Sequence, residues 1–439
     1  MTTLWCELAW LGGEQVEAAV VIEVDGDRIS QVGSGATAPA GAERLRGVTI
    51  PGLANAHSHA FQRALRARTE HGSGSFWTWR EQMYELAGRL DPDSYLQLAR
   101  ATFAEMASAG ISLVGEFHYL HHGPDGSRYA DPNAMGAAVA QAAAEVGIRM
   151  TLIDSCYLHG GIGSEPEGAQ RRFSDGSADA WAQRASALTS DDQLRVGAAI
   201  HSVRAVDPDA AALVAEWARE REAPLHAHVS EQPAENEACI AAHGVTPAAL
   251  LQRAGALAAN FTAIHATHAT AEDLARLGGA GATCCLCPTT ERNLADGIGR
   301  ADAMRRAGAR LALGSDSQAV IDLFEEARAV ELDERLATGQ RGHHSPAALL
   351  QAATGDGYAC LGWPEGGRIE PGALADLTTV ALDSVRLVGT PTELAVEAVV
   401  HAAAAPDVRD VMVGGRWIVR DGRHIAIDTA AELDAALAR

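Results

Sequence analysis

PGLANAHSHAFQ, residues 51–62, is the stretch from which the organisation of the whole chain can be read. His57 and His59 stand two positions apart, and at strand spacing both side chains fall on one face, where two imidazoles can converge on a metal ion. An isolated H-x-H is weak support for a metal, because two polar residues at a strand end make the same pattern. The setting strengthens it. Val48, Ile50 and Leu53 form an apolar lead-in, Pro51 and Gly52 interrupt it, and further His and Asp residues recur at the ends of later apolar runs.

Downstream of this stretch, apolar strands alternate with long helical patterns, the rhythm of βαβ units. Over residues 92–109, Asp91 suits a cap and Pro92 a first turn; Leu96, Ala99, Phe103 and Met106 recur on one face, and Gly110 ends the pattern. Asp207 and Pro208 open another helix in the same way. After the opening strand, strands are expected at 111–117, 149–153, 194–200, 224–229, 262–265, 282–286 and 310–313. Eight strands alternating with helices predict an α/β fold, a TIM-like (β/α)8 barrel with its active site at the carboxyl ends of the strands. A doubly wound open sheet is the alternative, but its glycine-rich phosphate turn after the first strand is absent.

Both termini read differently. Strands are expected at 4–11, 18–24 and 28–32, the last two joined at the hairpin pair Asp25-Gly26, and strand pattern returns at 372–377, 408–413 and 417–419. The expectation is a small β-sandwich domain built from residues 1–50 and 366–439, flanking a catalytic barrel over 51–365.

The 439 residues carry a formal net charge of −22, which repels nucleic acid and anionic membranes. An anionic substrate would therefore need positive charge supplied locally. The chain contains no lysine, which removes Schiff-base chemistry, the P-loop lysine and any metal pair bridged by a modified lysine. Seven scattered cysteines without a secretory signal suggest a reduced, cytoplasmic protein, and no apolar run is long enough to cross a bilayer.

Candidate chemistry collects at the expected strand ends: His57 and His59 after the first, His228 after the fifth, His265 after the sixth and Asp316 after the eighth. Imidazole and carboxylate ligands from separate strand ends, with one position left for water, suit a catalytic Zn²⁺ or Fe²⁺. Any one of these residues alone reads as a satisfied polar group; their phase with the eightfold rhythm argues otherwise.

The segments 57–63 (HSHAFQR), 76–81 (FWTWRE), 116–122 (EFHYLHH), 201–206 (HSVRAV), 228–231 (HVSE), 265–268 (HATH) and 314–317 (GSDS) resemble the amidohydrolase superfamily. Within it they are most similar to iminohydrolases that convert N-formimidoyl-L-glutamate and water to N-formyl-L-glutamate and ammonia in histidine degradation. The resemblance implies one Zn²⁺ held by His57, His59, His228 and Asp316, with Fe²⁺ as the alternative. It implies proton transfer by Glu231, His265 and Asp316, and binding of a small dicarboxylate by Gln62, Arg80, Tyr119, His201 and Arg204. Two carboxylates call for forked guanidinium donors, which agrees with the two arginines. A homodimer is what the family suggests.

Dinuclear members of the superfamily use a carboxylated lysine as a bridge, and here the fourth strand ends at Ile200-His201, so one metal is expected. Glu116 is expected in a hydrogen-bond network rather than as a metal bridge. The C-x-x-C at 284–287 reads as part of a buried seventh strand, while His121-His122, His343-His344 and residues 160–179 read as loops, the last placed to act as a lid. A nucleobase or aminotriazine deaminase on the same scaffold, with less need for the arginines, is one alternative. A catalytically inactive scaffold protein, which would have lost part of the metal set, is the other.

Overall fold

Pro51-Gly52 divides the opening stretch between two sheets. The computed structural model describes residues 1–35, 37–71 and 73–438. Glu43–Pro51 pairs with Thr2–Ala9 and Leu377–Val380 in a terminal sheet, whereas Leu53–Ser58 pairs with Ile111–His118 in a second one. The apolar lead-in is thus two strands, not one. Gly52 makes the passage, donating its N–H to Asp376 O at 2.8 Å, and a Cβ there would run into the Ser112 hydroxyl.

The second sheet is the barrel. Its strands are β1 (Leu53–Ser58), β2 (Ile111–His118), β3 (Arg149–Cys156), β4 (Leu194–Ile200), β5 (Leu225–Val229), β6 (Phe261–His265), β7 (Thr283–Leu286) and β8 (Arg310–Leu313). They run in sequence order and parallel throughout. Helices follow them with the expected caps. Asp91 accepts from Ser94 N ahead of Pro92–Ser108, and Asp207 accepts from Asp209 and Ala210 N ahead of Pro208–Glu220.

The seam between β8 and β1 closes at their carboxyl ends. Asp316 N–H donates to His57 O at 3.0 Å, and His59 N–H donates to Asp316 O at 3.0 Å. Asn55 reinforces it, accepting from Ser315 N at 2.9 Å and donating to Ser315 Oγ at 2.7 Å. Backbone closure of the barrel therefore itself brings His57, His59 and Asp316 together.

The termini form one hydrogen-bonded order of eight strands, from Arg423–His424 through Val408–Val413, Leu377–Val380, Glu43–Pro51 and Thr2–Ala9 to Arg28–Gly33. The sheet curls back on itself: Ile29 N–H donates to Ala373 O at 2.9 Å, and Leu4, Val20, Ile22, Leu45 and Leu377 pack inside the fold. A buried Arg149–Asp376 ion pair at 2.8 Å ties this unit to β3. The helix Thr429–Leu437 returns to the barrel, where Arg100 on Pro92–Ser108 reaches Glu432 at 2.9 Å.

The loops above β2 and β3 are held by Arg184, which grips both oxygens of Asp154 at 2.8 Å and reaches Asp175 at 2.9 Å. His121 and His122 belong to the same buried cluster. Burial pushes the two carboxyls up, but Arg184 and the histidines outweigh it and hold both below the usual range. Arg184→Met strands two buried charges and is expected to lower stability by about 3–5 kcal/mol at neutral pH. Because depressed carboxyls stabilise above their ordinary value of 3.8, the gap from wild type narrows as pH falls below it, which urea titrations at several pH values will measure.

All seven cysteines are buried and free. Among the described residues no helix is long and apolar enough to cross a membrane.

Candidate active site

Four side chains converge at the seam. His57 Nε2 lies 3.3 Å and His59 Nε2 3.4 Å from Asp316 Oδ1, and His228 Nε2, arriving from β5, lies 3.2 Å from His57 Nε2. Two donors each bonded to one tetrahedral Zn²⁺ stand about 3.3 Å apart, so these three separations are those of neighbouring ligands on one ion; His57, His59 and Asp316 form one compact group, and His228 adjoins it through His57. In two of the three histidines the second ring nitrogen is occupied: His59 Nδ1 donates to Phe117 O at 3.0 Å and His228 Nδ1 to His201 O at 2.9 Å, whereas the buried His57 Nδ1 has no partner. For His59 and His228 that leaves a bare Nε2 lone pair facing the centre, the tautomer a metal needs. Burial pushes His57 down to about 3 and lowers His59 and His228 as well, so the imidazoles are neutral. Burial raises the Asp316 carboxyl, but the surrounding histidines outweigh it and keep it ionised.

His265, at the end of β6, stands beside this set. Its Nε2 is 3.7 Å from Asp316 Oδ2 and 3.8 Å from Glu231 Oε1 and has no hydrogen-bond partner, while Nδ1 meets Glu291 Oε1 at 3.2 Å. Burial lowers His265, but the carboxylates of Glu291, Glu231 and Asp316 outweigh it and hold the ring well above its ordinary value. Burial, with Asp316 and Glu235 nearby, raises Glu231. His265, Ser230 and Asp316 all adopt left-handed backbone angles, with φ of 67°, 51° and 43°. Such strain in non-glycine residues gathers where geometry is held for function.

A cavity of about 280 Å³ opens over these groups and is lined by Gln62, Arg80, Tyr119, His201 and Arg204 together with His59, His228, Glu231, His265 and Asp316. His57 lies beneath, fully buried. Gln62 Nε2 donates to Tyr119 Oη at 3.1 Å, and its buried Oε1 has no partner. The two arginines differ. Arg204 donates to Glu235 at 3.1 Å and to Glu231 at 3.4 Å. Arg80, on the helix Phe76–Ala87, lies over the Trp77 ring at 4.5 Å and has no ion-pair partner among the described residues.

Glu116 sits in a network: Ser58 donates to one oxygen at 2.6 Å, Ala60 N and Tyr95 Oη to the other at 2.7 and 3.3 Å. Burial pushes it up to about 8. Of the C-x-x-C, Cys284 lies on the buried strand β7 and Cys287, also buried, just past its end at the start of the helix Pro288–Asn293. Sequence reasoning missed Glu235 and Glu291. Both occupy the first turn of a helix behind a proline, where an acid is common for structural reasons, so nothing local marks them as functional.

Residues 48–418 match the model of the amidohydrolase family. The chain belongs to that family. It is 38% identical over 405 residues to a formimidoylglutamate deiminase of Pseudomonas aeruginosa, covering 89% of each chain. An 8-oxoguanine deaminase of the same species is 30% identical, with 88% of this chain and 85% of that one covered. The solved structure of an amidohydrolase from Brucella melitensis superposes with a TM-score of 0.93 at 33% identity, over 100% of this chain and 99% of the other. This amidohydrolase is accordingly a hydrolase acting on C–N bonds, and the clustered histidines at its barrel mouth have the character of a metal site.

Proposed function

We propose that this amidohydrolase is a mononuclear Zn²⁺ iminohydrolase converting N-formimidoyl-L-glutamate and water to N-formyl-L-glutamate and ammonia, a step of histidine degradation. The observation that carries the proposal is the pair Arg80 and Arg204 lining the same cavity as His59, His228 and Asp316. A substrate with two carboxylates uses both guanidinium groups, whereas a neutral purine would leave Arg80 desolvated with no counter-charge. The similarity to the Pseudomonas aeruginosa deiminase supports the same reading.

His57, His59, His228 and Asp316 would hold the ion. Bound there, Zn²⁺ supplies hydroxide at neutral pH by lowering the pKa of water to about 7. Asp316 Oδ2, which stays ionised, is placed to take the proton released as water adds to the formimidoyl carbon, and the charged His265 ring, its Nε2 3.7 Å away, is placed to steady the carboxylate and to exchange protons with it as the reaction proceeds. Glu231 Oε1, 3.8 Å from His265 Nε2, carries a raised carboxyl suited to delivering a proton to the departing nitrogen. Gln62, Tyr119 and His201 hydrogen-bond the substrate between the metal and the arginines.

Ammonia release from N-formimidoyl-L-glutamate, measured beside cytosine, guanine and 8-oxoguanine, tests the proposal. Turnover of the formimidoyl compound at least about a hundredfold above the bases is expected, because a pocket built for charge rejects neutral ligands strongly. No release from it by metal-loaded protein, or a preference for a base, overturns the proposal.

A further inference from the structure

Beyond the residues already placed around the substrate, a side chain from the loop after β3 organises the outer part of the cavity. Gln170 Nε2 faces three acceptors: Tyr84 Oη at 3.1 Å, Tyr157 Oη at 3.0 Å and Gly160 O at 3.2 Å. Its amide orientation is settled by its surroundings, since Oε1 accepts the Glu167 N–H at 3.0 Å while Nε2 faces a carbonyl. The tyrosine oxygens therefore accept, and their own O–H bonds must point elsewhere. Among the described residues no carbonyl or carboxylate accepts from either hydroxyl. The two phenols adjoin one another, so one O–H is able to turn to the other; the remaining one faces the cavity that both rings line.

Ring contacts set the depth of this spot. Tyr119 packs on the His59 ring at 5.2 Å and His201 on the His228 ring at 5.2 Å, forming the layer next to the metal ligands. Tyr157 packs on His201 at 4.7 Å, one layer further out, and Phe173 touches Tyr157 at 5.3 Å and Tyr84 at 6.0 Å. The Arg80 guanidinium lies over the Tyr84 ring at 5.5 Å. In N-formimidoyl-L-glutamate the α-carboxylate is closer in bonds to the amidine carbon than the side-chain carboxylate is. With the amidine at the ligand set, the α-carboxylate falls in the inner layer and the side-chain carboxylate in the outer one.

We infer that Tyr84 and Tyr157, whose oxygens Gln170 engages so that the pair keeps an O–H free for the cavity, form with Arg80 the subsite for the distal carboxylate and make the enzyme selective for a dicarboxylate. This rests on the proposed function and deepens it. Gln170 is a positioning residue that acts through the phenols. Replacing its amide by a carboxylate inverts the arrangement, because Glu accepts from both tyrosines and draws their hydrogens away from the cavity.

The test compares wild type with Gln170→Glu, Tyr84→Phe and Tyr157→Phe on N-formimidoyl-L-glutamate and on N-formimidoyl-L-2-aminobutyrate, which lacks the distal carboxylate. Zinc content is measured alongside. Gln170→Glu is expected to raise KM for the dicarboxylate about tenfold or more with a much smaller change in kcat, and to shrink its kcat/KM advantage over the monocarboxylate by about tenfold or more. The phenylalanine variants, which keep the ring packing, are expected to move the same ratio in the same direction. If wild type discriminates but all three variants keep the wild-type ratio, the subsite assignment is wrong while the proposed function stands. If wild type does not turn over N-formimidoyl-L-glutamate at all, both fall.

Discussion

Asp316→Asn is expected to abolish turnover, with kcat/KM down on the order of a thousandfold or more, while the protein still folds. The side chains are isosteric, and the seam bonds between β8 and β1 are made by the backbone of residue 316, so the barrel stays closed. Asparagine also tolerates the φ of 43° that this position adopts. What is lost is charge. The carboxylate is the one anionic member of a set whose other members are the neutral rings of His57, His59 and His228, and its Oδ2 stands 3.7 Å from His265 Nε2. Without it the site holds a divalent ion more weakly, by about ten- to a hundredfold or more, and loses a proton acceptor next to the reacting carbon. Metal analysis, a melting curve and the ammonia assay on one preparation separate these effects. Activity within tenfold of wild type would remove Asp316 from the mechanism.

The barrel was legible because its signal is repetition: eight apolar runs, each followed by a capped helical pattern, of which Asp91-Pro92 and Asp207-Pro208 are the clearest. The seam was not, because it depends on backbone groups of His57, His59 and Asp316 that have no side-chain signature. The break at Gly52 was hidden for a related reason. Val48, Ile50 and Leu53 continue one apolar pattern, and only the close approach of Ser112 requires the glycine. Within the site, histidines at strand ends announce themselves because the residue is uncommon there. Arginines do not: Arg80 and Arg204 stood out only through the resemblance of their segments, and nothing in HSVRAV foretold that Arg204 spans two buried carboxylates. Gln170 carried no signal at all, since its role lies in which acceptors its amide meets after folding.

Arg204→Ala is expected to raise KM for N-formimidoyl-L-glutamate by about a hundredfold and to destabilise the protein in a pH-dependent way, while leaving zinc content unchanged. The first effect follows from losing a forked donor to one substrate carboxylate. The second follows from what Arg204 does in the free protein, where it meets Glu235 at 3.1 Å and Glu231 at 3.4 Å, both buried. Burial already raises both carboxyls above their ordinary 4.5, and Arg204 opposes that rise. Removing it raises them further, so the folded variant binds more protons than the unfolded chain from pH 4.5 upward. Its stability therefore falls as pH rises through that window, and its deficit against wild type widens toward about 3–5 kcal/mol once both groups must ionise. Arg204→Lys keeps the charge but not the fork, so it should recover most of the stability and little of the affinity. Urea denaturation at pH 5 and pH 8 with KM measured at both values makes the comparison. A pH-independent deficit would mean that Arg204 supports packing alone, and an unchanged KM would take it out of substrate binding.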